Sequence, residues 1–251
     1  MILLKSPREI DLLRVANRIA AEALAELGKL IEPGISTAEL DRFAEDFLRK
    51  RGAKPAFKGY NDYPSTICAS INEGVVHGIP SARRLQQGDI VSIDIGTVYA
   101  GYHGDAAVTL GVGKISPEAK RLLEVTREAL TLAIAKARVG FRVSDISHAI
   151  QQHVEAQGMS VVRAFVGHGI GKSLHEEPQI PNFGPPGKGP LLQPGMVLAI
   201  EPMVNMGTWE IVILEDKWTA ITKDRSLSAH FEHTVAITEE GTEVLTSLDG
   251  Q

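Results

Sequence analysis

Only one cysteine, Cys68, occurs in the 251 residues, so no internal disulfide can form and a reducing cytoplasm is the simplest compartment. No apolar run approaches the roughly 20 residues that a membrane span needs. The apolar start of MILLKSPREI turns polar after four residues, too soon for a secretory signal. Positive charge is not in excess. The net charge is −5, which argues against a protein that holds nucleic acid through its electrostatic field. No low-complexity stretch and no Ser- or Gly-rich linker divides the chain. What remains is a globular composition, 43% hydrophobic and 23% charged, long enough to bury a sizeable core as one large domain or two small ones.

Local punctuation is strong. Ser6-Pro7-Arg8-Glu9 predicts a helix start, with Ser as cap, Pro at the first helical position and Glu reaching back. Ser36 with Glu39 repeats the capping box, and Gly52 predicts the stop of that second helix. Ser116-Pro117-Glu118 predicts a third helix ending near Gly140, and Ser144 a fourth ending near Gly158. Strands are predicted at Val91–Ile95, Val108–Val112, Val161–Val166, Val197–Ile200, Ile211–Leu214 and Thr234–Ile237. Helix, helix, strands thus occurs twice, and the residues repeat with it. EPGISTAELDRFAEDFLRKRG lies over RVGFRVSDISHAIQQHVEAQG, and LQQGDIVSID over LQPGMVLAIE, so that Gly88 meets Gly195 and Asp94 meets Glu201. Two matches at nearly the same offset point to a duplicated α+β unit.

The carboxylates are the unusual feature. Asp94 interrupts the β-branched run VSIDI, and Asp105 follows across a Gly-containing turn. If a pseudo-two-fold axis relates the halves, Asp94 and Glu201 face each other across the centre. Glu232, at the start of a strand, stands to Glu201 as Asp105 stands to Asp94. Taken singly, Asp94 could be a buried turn-capping carboxylate and Asp105 a hairpin-turn residue. Four carboxylates converging on one core would not stay ionised without cations, and divalent metal is the obvious compensation. Among eight histidines, His168 lies between glycines in VGHGIGKSLHEEP, His175 follows it, and His77 sits in NEGVVHGIP. His103, His230 and His233 flank the acidic positions, as candidates to orient the ligands. His148 and His153 fall on the fourth helix, as rim or exposed residues.

The motifs ASINEGVVHGIP, DIGTVYAGYHGD, GHGIGKSLHEEP, AIEPMV and SLSAHFEHTVAIT, in this order, resemble the signatures of type I methionine aminopeptidases over essentially the whole chain. The resemblance implies the α+β pita-bread fold: two pseudo-symmetric halves, each with helices packed on an antiparallel sheet. One catalytic metallopeptidase domain is expected over 1–251, with halves of about 1–112 and 113–251. No zinc-binding N-terminal extension and no large insertion in the second half are seen, the pattern of the short bacterial-like form.

Carried over residue by residue, the resemblance makes Asp94, Asp105, His168, Glu201 and Glu232 the ligands of two divalent metal ions, of Co, Mn, Fe or Zn. Asp105 and Glu232 would bridge the ions. The implied reaction removes the N-terminal methionine of nascent proteins and peptides, a small second residue being preferred, through a hydroxide bound between the metals. Glu201 would move the water's proton to the leaving nitrogen, His175 would stabilise the oxyanion and His77 would contact the scissile amide. The methionine side chain is assigned to Tyr60, Tyr63, Cys68, Trp218 and His77. Two positions depart from the pattern: Leu174, where an aromatic is usual, and Ala100, where an acidic residue is common. Phe57, near the same loop, is the candidate to compensate. The resemblance adds a monovalent cation held by backbone carbonyls near Asn72 and Ser228, and the ribosome as the place where substrate emerges. A cytoplasmic monomer without nucleic-acid or membrane partners is expected. Three other readings have their own marks. Prolidases and proline aminopeptidases of this fold usually carry an extra N-terminal domain. Non-catalytic relatives lose ligands. A metal-storage protein would not need His77 and His175 beside the site.

Overall fold

In a computed structural model of the chain, which describes residues 1–248, the capping chemistry sets the helix starts. The last three residues of the expected 1–251 domain lie outside the described residues. α1 (Pro7–Leu30) and α2 (Thr37–Lys50) both begin with capping boxes, the Ser6 and Ser36 amides donating to the carboxylates of Glu9 and Glu39 at 2.9 and 2.8 Å. α3 (Pro117–Lys136) starts after Ser116, whose hydroxyl accepts from the Ala119 amide. α4 (Val143–Ala156) starts one residue before Ser144, the start predicted above. Asp145 accepts from the Arg142 amide at 2.7 Å and so caps the helix earlier, while the Ser144 hydroxyl is taken by the Lys188 amide.

The first half contributes β1 (Lys54–Pro55), β2 (Ile67–Ile71), β3 (Gly74–Val76), β4 (Ile90–Tyr99) and β5 (Tyr102–Gly111). The second contributes β6 (Ser160–Val161), β7 (Val166–Gly169), β8 (Glu176–Pro181), β9 (Val197–Ile200) and β10 (Met203–Asn205). It continues with β11 (Ile211–Ile213), β12 (Ala220–Thr222), β13 (Ser228–His230), β14 (His233–Ile237) and β15 (Thr242–Val244). All pairing is antiparallel. One sheet joins β4 to β1 and β2 along one edge and β5 along the other. A second has the order β15-β14-β9-β7-β8, and two three-stranded sheets, β13-β10-β6 and β11-β12-β3, lie beside them. The predicted strand Val161–Val166 is two strands in different sheets. The chain leaves β10 after Val162, and Arg163 turns outward over the rings of Phe183 and Trp209 before β7 begins.

Each half has its own core. Leu27, Leu40, Leu48 and Ile93 pack under α1 and α2, whereas Leu122, Ile146, Ile150 and Leu198 pack under α3 and α4. A third cluster, with Leu13, Phe57, Tyr63, Cys68, Ile170, Leu174 and Val197, draws on both halves. The halves are also stitched through backbone. The Glu232 amide donates to the Ala107 carbonyl at 2.9 Å, the Ser228 amide to the Asn72 carbonyl at 2.9 Å, and the Thr109 hydroxyl bonds both the amide and carbonyl of His230. α1 lies hard against the β4–β5 hairpin. The Thr97 hydroxyl donates to the Ala16 carbonyl, and a Cβ at Gly104 would sit 2.6 Å from the Ala16–Asn17 peptide. Gly104→Ala is therefore expected to cost about 1–3 kcal/mol, the usual range for overpacking. Urea unfolding measures this, and an unchanged midpoint would contradict the close helix–hairpin contact.

Candidate metal and active site

The two central strand pairs deliver the carboxylates. Asp94 sits in the middle of β4, opposite Cys68 on β2 and Ala107 on β5. Asp105 comes from β5, where the Asn17 side chain of α1 accepts from its amide at 3.1 Å and Thr234 donates to its carbonyl at 2.8 Å. Asn17 is fully buried and donates its own amide group to the Leu13 carbonyl, so one helical residue ties α1 to the strand that carries Asp105. Glu201 follows β9 directly, and Glu232 lies between β13 and β14 on the stitch to Ala107.

His168 stands on β7 at a β-bulge that re-aims its side chain. Its neighbours Gly167 and Gly169 are needed for another reason than approach to a ligand: a Cβ on either would collide with the carbonyl of an adjoining strand, Ala199 or Glu177. The His168 Nδ1 faces the Gly169 carbonyl at 2.9 Å. A carbonyl only accepts, so the neutral ring carries its proton there, and Nε2 is left with a lone pair. That lone pair points among the carboxylates, 3.8 Å from Asp105 Oδ2 and 3.6 Å from Glu201 Oε1.

Whether these residues suit a cation is decided by what they lack. Asp94 Oδ1, Asp105 Oδ1 and Glu232 Oε1 are buried without any hydrogen-bond partner. Ligand atoms of Asp105, His168 and Glu232 lie within 4.8 Å of one another. Burial, compounded by Asp94 and Glu201, pushes the Asp105 carboxyl far up; burial, then Asp105 and Glu201, does the same to Glu232. Asp94 is raised from 3.8 to about 7, by burial and by Glu201 against the pull of His230. Nitrogen and oxygen donors in this arrangement fit divalent metal.

Beside the cluster lies a cavity of about 350 Å³. Every residue expected at the site borders it: Tyr60, Tyr63, Cys68, His77, Asp94, Asp105, His168, His175, Glu201, Trp218 and Glu232. His77 has a left-handed backbone (φ +60) and meets Phe165 and Trp218 edge to face, with centroids 5.1 and 6.0 Å away. Tyr63 turns its hydroxyl to the carbonyls of Ile67 and Gly78 and its ring to Trp218. Burial pushes the Cys68 thiol up, so it serves as an apolar wall rather than a nucleophile. His175 faces His168 with ring centroids 4.4 Å apart, and its Nδ1 lies 2.7 Å from the Tyr60 hydroxyl. Burial and the neighbouring His168 lower the His175 pKa to about 4, so the ring is neutral at pH 7.

Leu174 and Phe57 border the same cavity and pack in one cluster, so an aromatic ring is present although position 174 lacks one. Ala100 occupies a left-handed position (φ +48) in the β4–β5 turn, away from the cavity lining. Of the three flanking histidines, His230 approaches one of these carboxylates, its Nε2 3.5 Å from Glu201 Oε2. His103 turns to Gly171 and His233 to Thr246. Phe165 and Asn17 were not singled out in the sequence. Phe165 fell inside the misread strand, and Asn17 is an ordinary polar residue at a helical position that only the hairpin contact explains.

The match to known proteins is full length. The model of metallopeptidase family M24 matches residues 11–239. Methionine aminopeptidase 1 of Bacillus subtilis is 57% identical over 99% of this chain and 100% of its own. The chain belongs to the M24 metallopeptidases, in their methionine aminopeptidase branch. The crystal structure of the methionine aminopeptidase from Thermotoga maritima agrees, at 50% identity, a TM-score of 0.97 and coverage of 98% of this chain and 100% of that one. The prolidase from Pyrococcus furiosus is similar at 26% identity and a TM-score of 0.79, over 98% of this chain but 66% of that one. This M24 metallopeptidase is a metallo-aminopeptidase with the pita-bread fold, and none of its helices among the described residues is long and apolar enough to cross a membrane.

In the folded, metal-free protein the three carboxyls keep their protons to higher pH than in the unfolded chain. For Asp94 that contribution to stability is complete below its ordinary 3.8 and is lost as the pH rises through about 7. The buried His77, His103, His175 and His233, whose pKa values lie below the ordinary 6.5, act in the opposite sense up to that pH, so the melting temperature of chelator-treated protein is expected to fall from about pH 6.5 to pH 8, with divalent metal restoring most at the upper end. A melting temperature indifferent to both pH and metal would show that the carboxyls do not repel one another.

Proposed function

We propose that the enzyme removes the N-terminal methionine of nascent proteins and peptides, preferring a small second residue, in the cytoplasm and with two divalent ions at the carboxylate cluster. The observation that carries this reading is the set of unpartnered buried carboxylate oxygens beside a cavity of about 350 Å³. Asp94, Asp105, His168, Glu201 and Glu232 would hold the ions, and four carboxylates balance two divalent charges. When bound, the ions supply Lewis acidity, polarising the scissile carbonyl and acidifying water.

The chain's own residues do the rest. Phe57, Leu174, Cys68 and the edge-to-face pair Tyr63–Trp218 surround an unbranched thioether with apolar, sulfur and aromatic contacts. Glu201 lies beside the lone pair of His168 and is the base that receives a proton and passes it to the leaving nitrogen. His77 is held by Phe165 and Trp218 and contacts the scissile amide. His175 is the oxyanion donor. Being neutral, it has one N–H; in the tautomer that serves the carbonyl oxygen that proton lies on Nε2, and Nδ1 then accepts from the Tyr60 hydroxyl 2.7 Å away. One catalytic unit spanning both halves follows, because each half supplies ligands.

Metal analysis combined with turnover of a Met-Ala-Ser peptide tests this. Hydrolysis after Met that vanishes on chelation is expected; bound metal without hydrolysis would favour a metal-storage protein. His175→Ala should lower kcat roughly 100-fold or more, as for loss of one oxyanion donor, with metal content unchanged. Loss of metal in that variant would mean the histidine roles are exchanged. Leu174→Phe adds a ring to a cavity that Phe57 already borders. It should raise KM for Met-Ala peptides about fivefold or more, a cost within the range of overpacking. A lower KM, read from initial rates, would show room left at the thioether.

A further inference from the structure

The loop that carries His175 runs from Ile170 to the start of β8, and it is gripped from outside the cavity by the N-terminal arm of the other half. Lys5 reaches Glu176, the residue after His175, with Nζ 2.5 Å from Oε2; the two side chains are only 5% and 8% exposed. A buried ion pair that spans 171 residues of sequence is rarely incidental, since both charges must be stripped of water. Each partner is held in turn. Lys5 donates its backbone amide to the Gly195 carbonyl and its Nζ to the Leu3 carbonyl at 2.9 Å. The other Glu176 oxygen accepts from the Ser173 amide at 3.1 Å, and Ser173 in turn accepts from the Gly171 amide, so the carboxylate closes the turn that presents His175. The side chains press on the turn itself: a Cβ at Gly171 would lie 2.5 Å from Glu176 Oε1 and 2.7 Å from Lys5 Cε. The far side is pinned by the His103 amide, which donates to the Gly171 carbonyl at 2.8 Å.

We propose that Lys5 is a positioning residue for the reaction: through its buried pair with Glu176 it clamps the 170–176 loop of the second half and so holds His175 at the reacting carbonyl. The inference rests on the role given to His175 above. Lys5 touches no cavity-lining ligand, so its loss acts on geometry rather than on metal. A misplacement of about 1 Å in a catalytic donor suffices for a large loss of rate.

The test uses the metal-loaded, full-length protein with Lys5→Met, Lys5→Arg, and the pair Lys5→Met/Glu176→Gln, which leaves no charge buried alone if the single variant does not fold. Lys5→Met, or the pair in its place, should lower kcat on Met-Ala-Ser at least tenfold, with KM within twofold and metal content unchanged. Lys5→Arg should recover most of that loss. In a His175→Ala background the same change should cost nothing further, because the two residues act as one unit. Amide hydrogen exchange at Gly171 and Ser173 should quicken in Lys5→Met while α4 is unaffected. Losses that multiply with those of His175→Ala, a parallel fall in metal content, or unchanged exchange in the loop would each overturn the proposal. A wild type that hydrolyses nothing would instead count against the aminopeptidase reading, and the exchange measurement would still decide the clamp.

Discussion

Four carboxyl groups border one small cavity that no lysine or arginine lines. At about 4 Å, two unit charges repel by roughly 4 kcal/mol in an effective dielectric of 20. No hydrogen bond relieves Asp94 Oδ1, Asp105 Oδ1 or Glu232 Oε1. The fold has to keep these groups together against that repulsion, and it does so with covalent backbone and packing. Asp94 and Asp105 are fixed by a hairpin of two ten-residue strands that pair along their whole length. Glu201 and Glu232 flank the β9–β14 pair, the counterpart of that hairpin in the other half.

Neither half could make the site alone. A backbone bond from Glu232 to Ala107 and the hydroxyl bonds of Thr109 to His230 and of Thr234 to Asp105 fasten the second pair of acids to the first. The mixed cluster draws on both halves, and its Phe57, Cys68 and Leu174 also line the cavity. Stability and the shape of the cavity therefore draw on the same side chains, and changes to the wall are felt in both.

Much of this was legible in the residues, for reasons that differ from element to element. Ser-Pro-x-Glu and Ser-x-x-Glu mark helix starts because the capping groups are local, and α1 and α2 begin where these motifs sit. α4 starts earlier than Ser144 alone suggests because the adjacent Asp145 also caps, reaching back to the Arg142 amide. A charged residue inside VSIDI stood out because a buried strand has no reason to carry one without a partner. The duplication made Glu201 its counterpart before any coordinates did. What stayed hidden depends on contacts distant in sequence: Asn17 against Asp105, Phe165 against His77, and the bulge at His168, which no periodicity records. Leu174 looked like a missing aromatic. Phe57 was the residue nearby that could compensate, and the fold does bring it to the same cavity.

The stitching between β5 and the stretch from Ser228 to Thr234 also has a consequence in time. Asp105 leaves the peptidyl-transferase centre long before Glu232 exists. At roughly 5–20 residues per second, some 6–25 s separate them. During that interval the first half carries Asp94 and Asp105 on a hairpin with no counterpart, and the tunnel still hides the residues that complete the set. The catalyst is therefore assembled last, after its own amino terminus has long been exposed. Whatever acts on that terminus while synthesis continues, it is not the chain's own site, which does not yet exist.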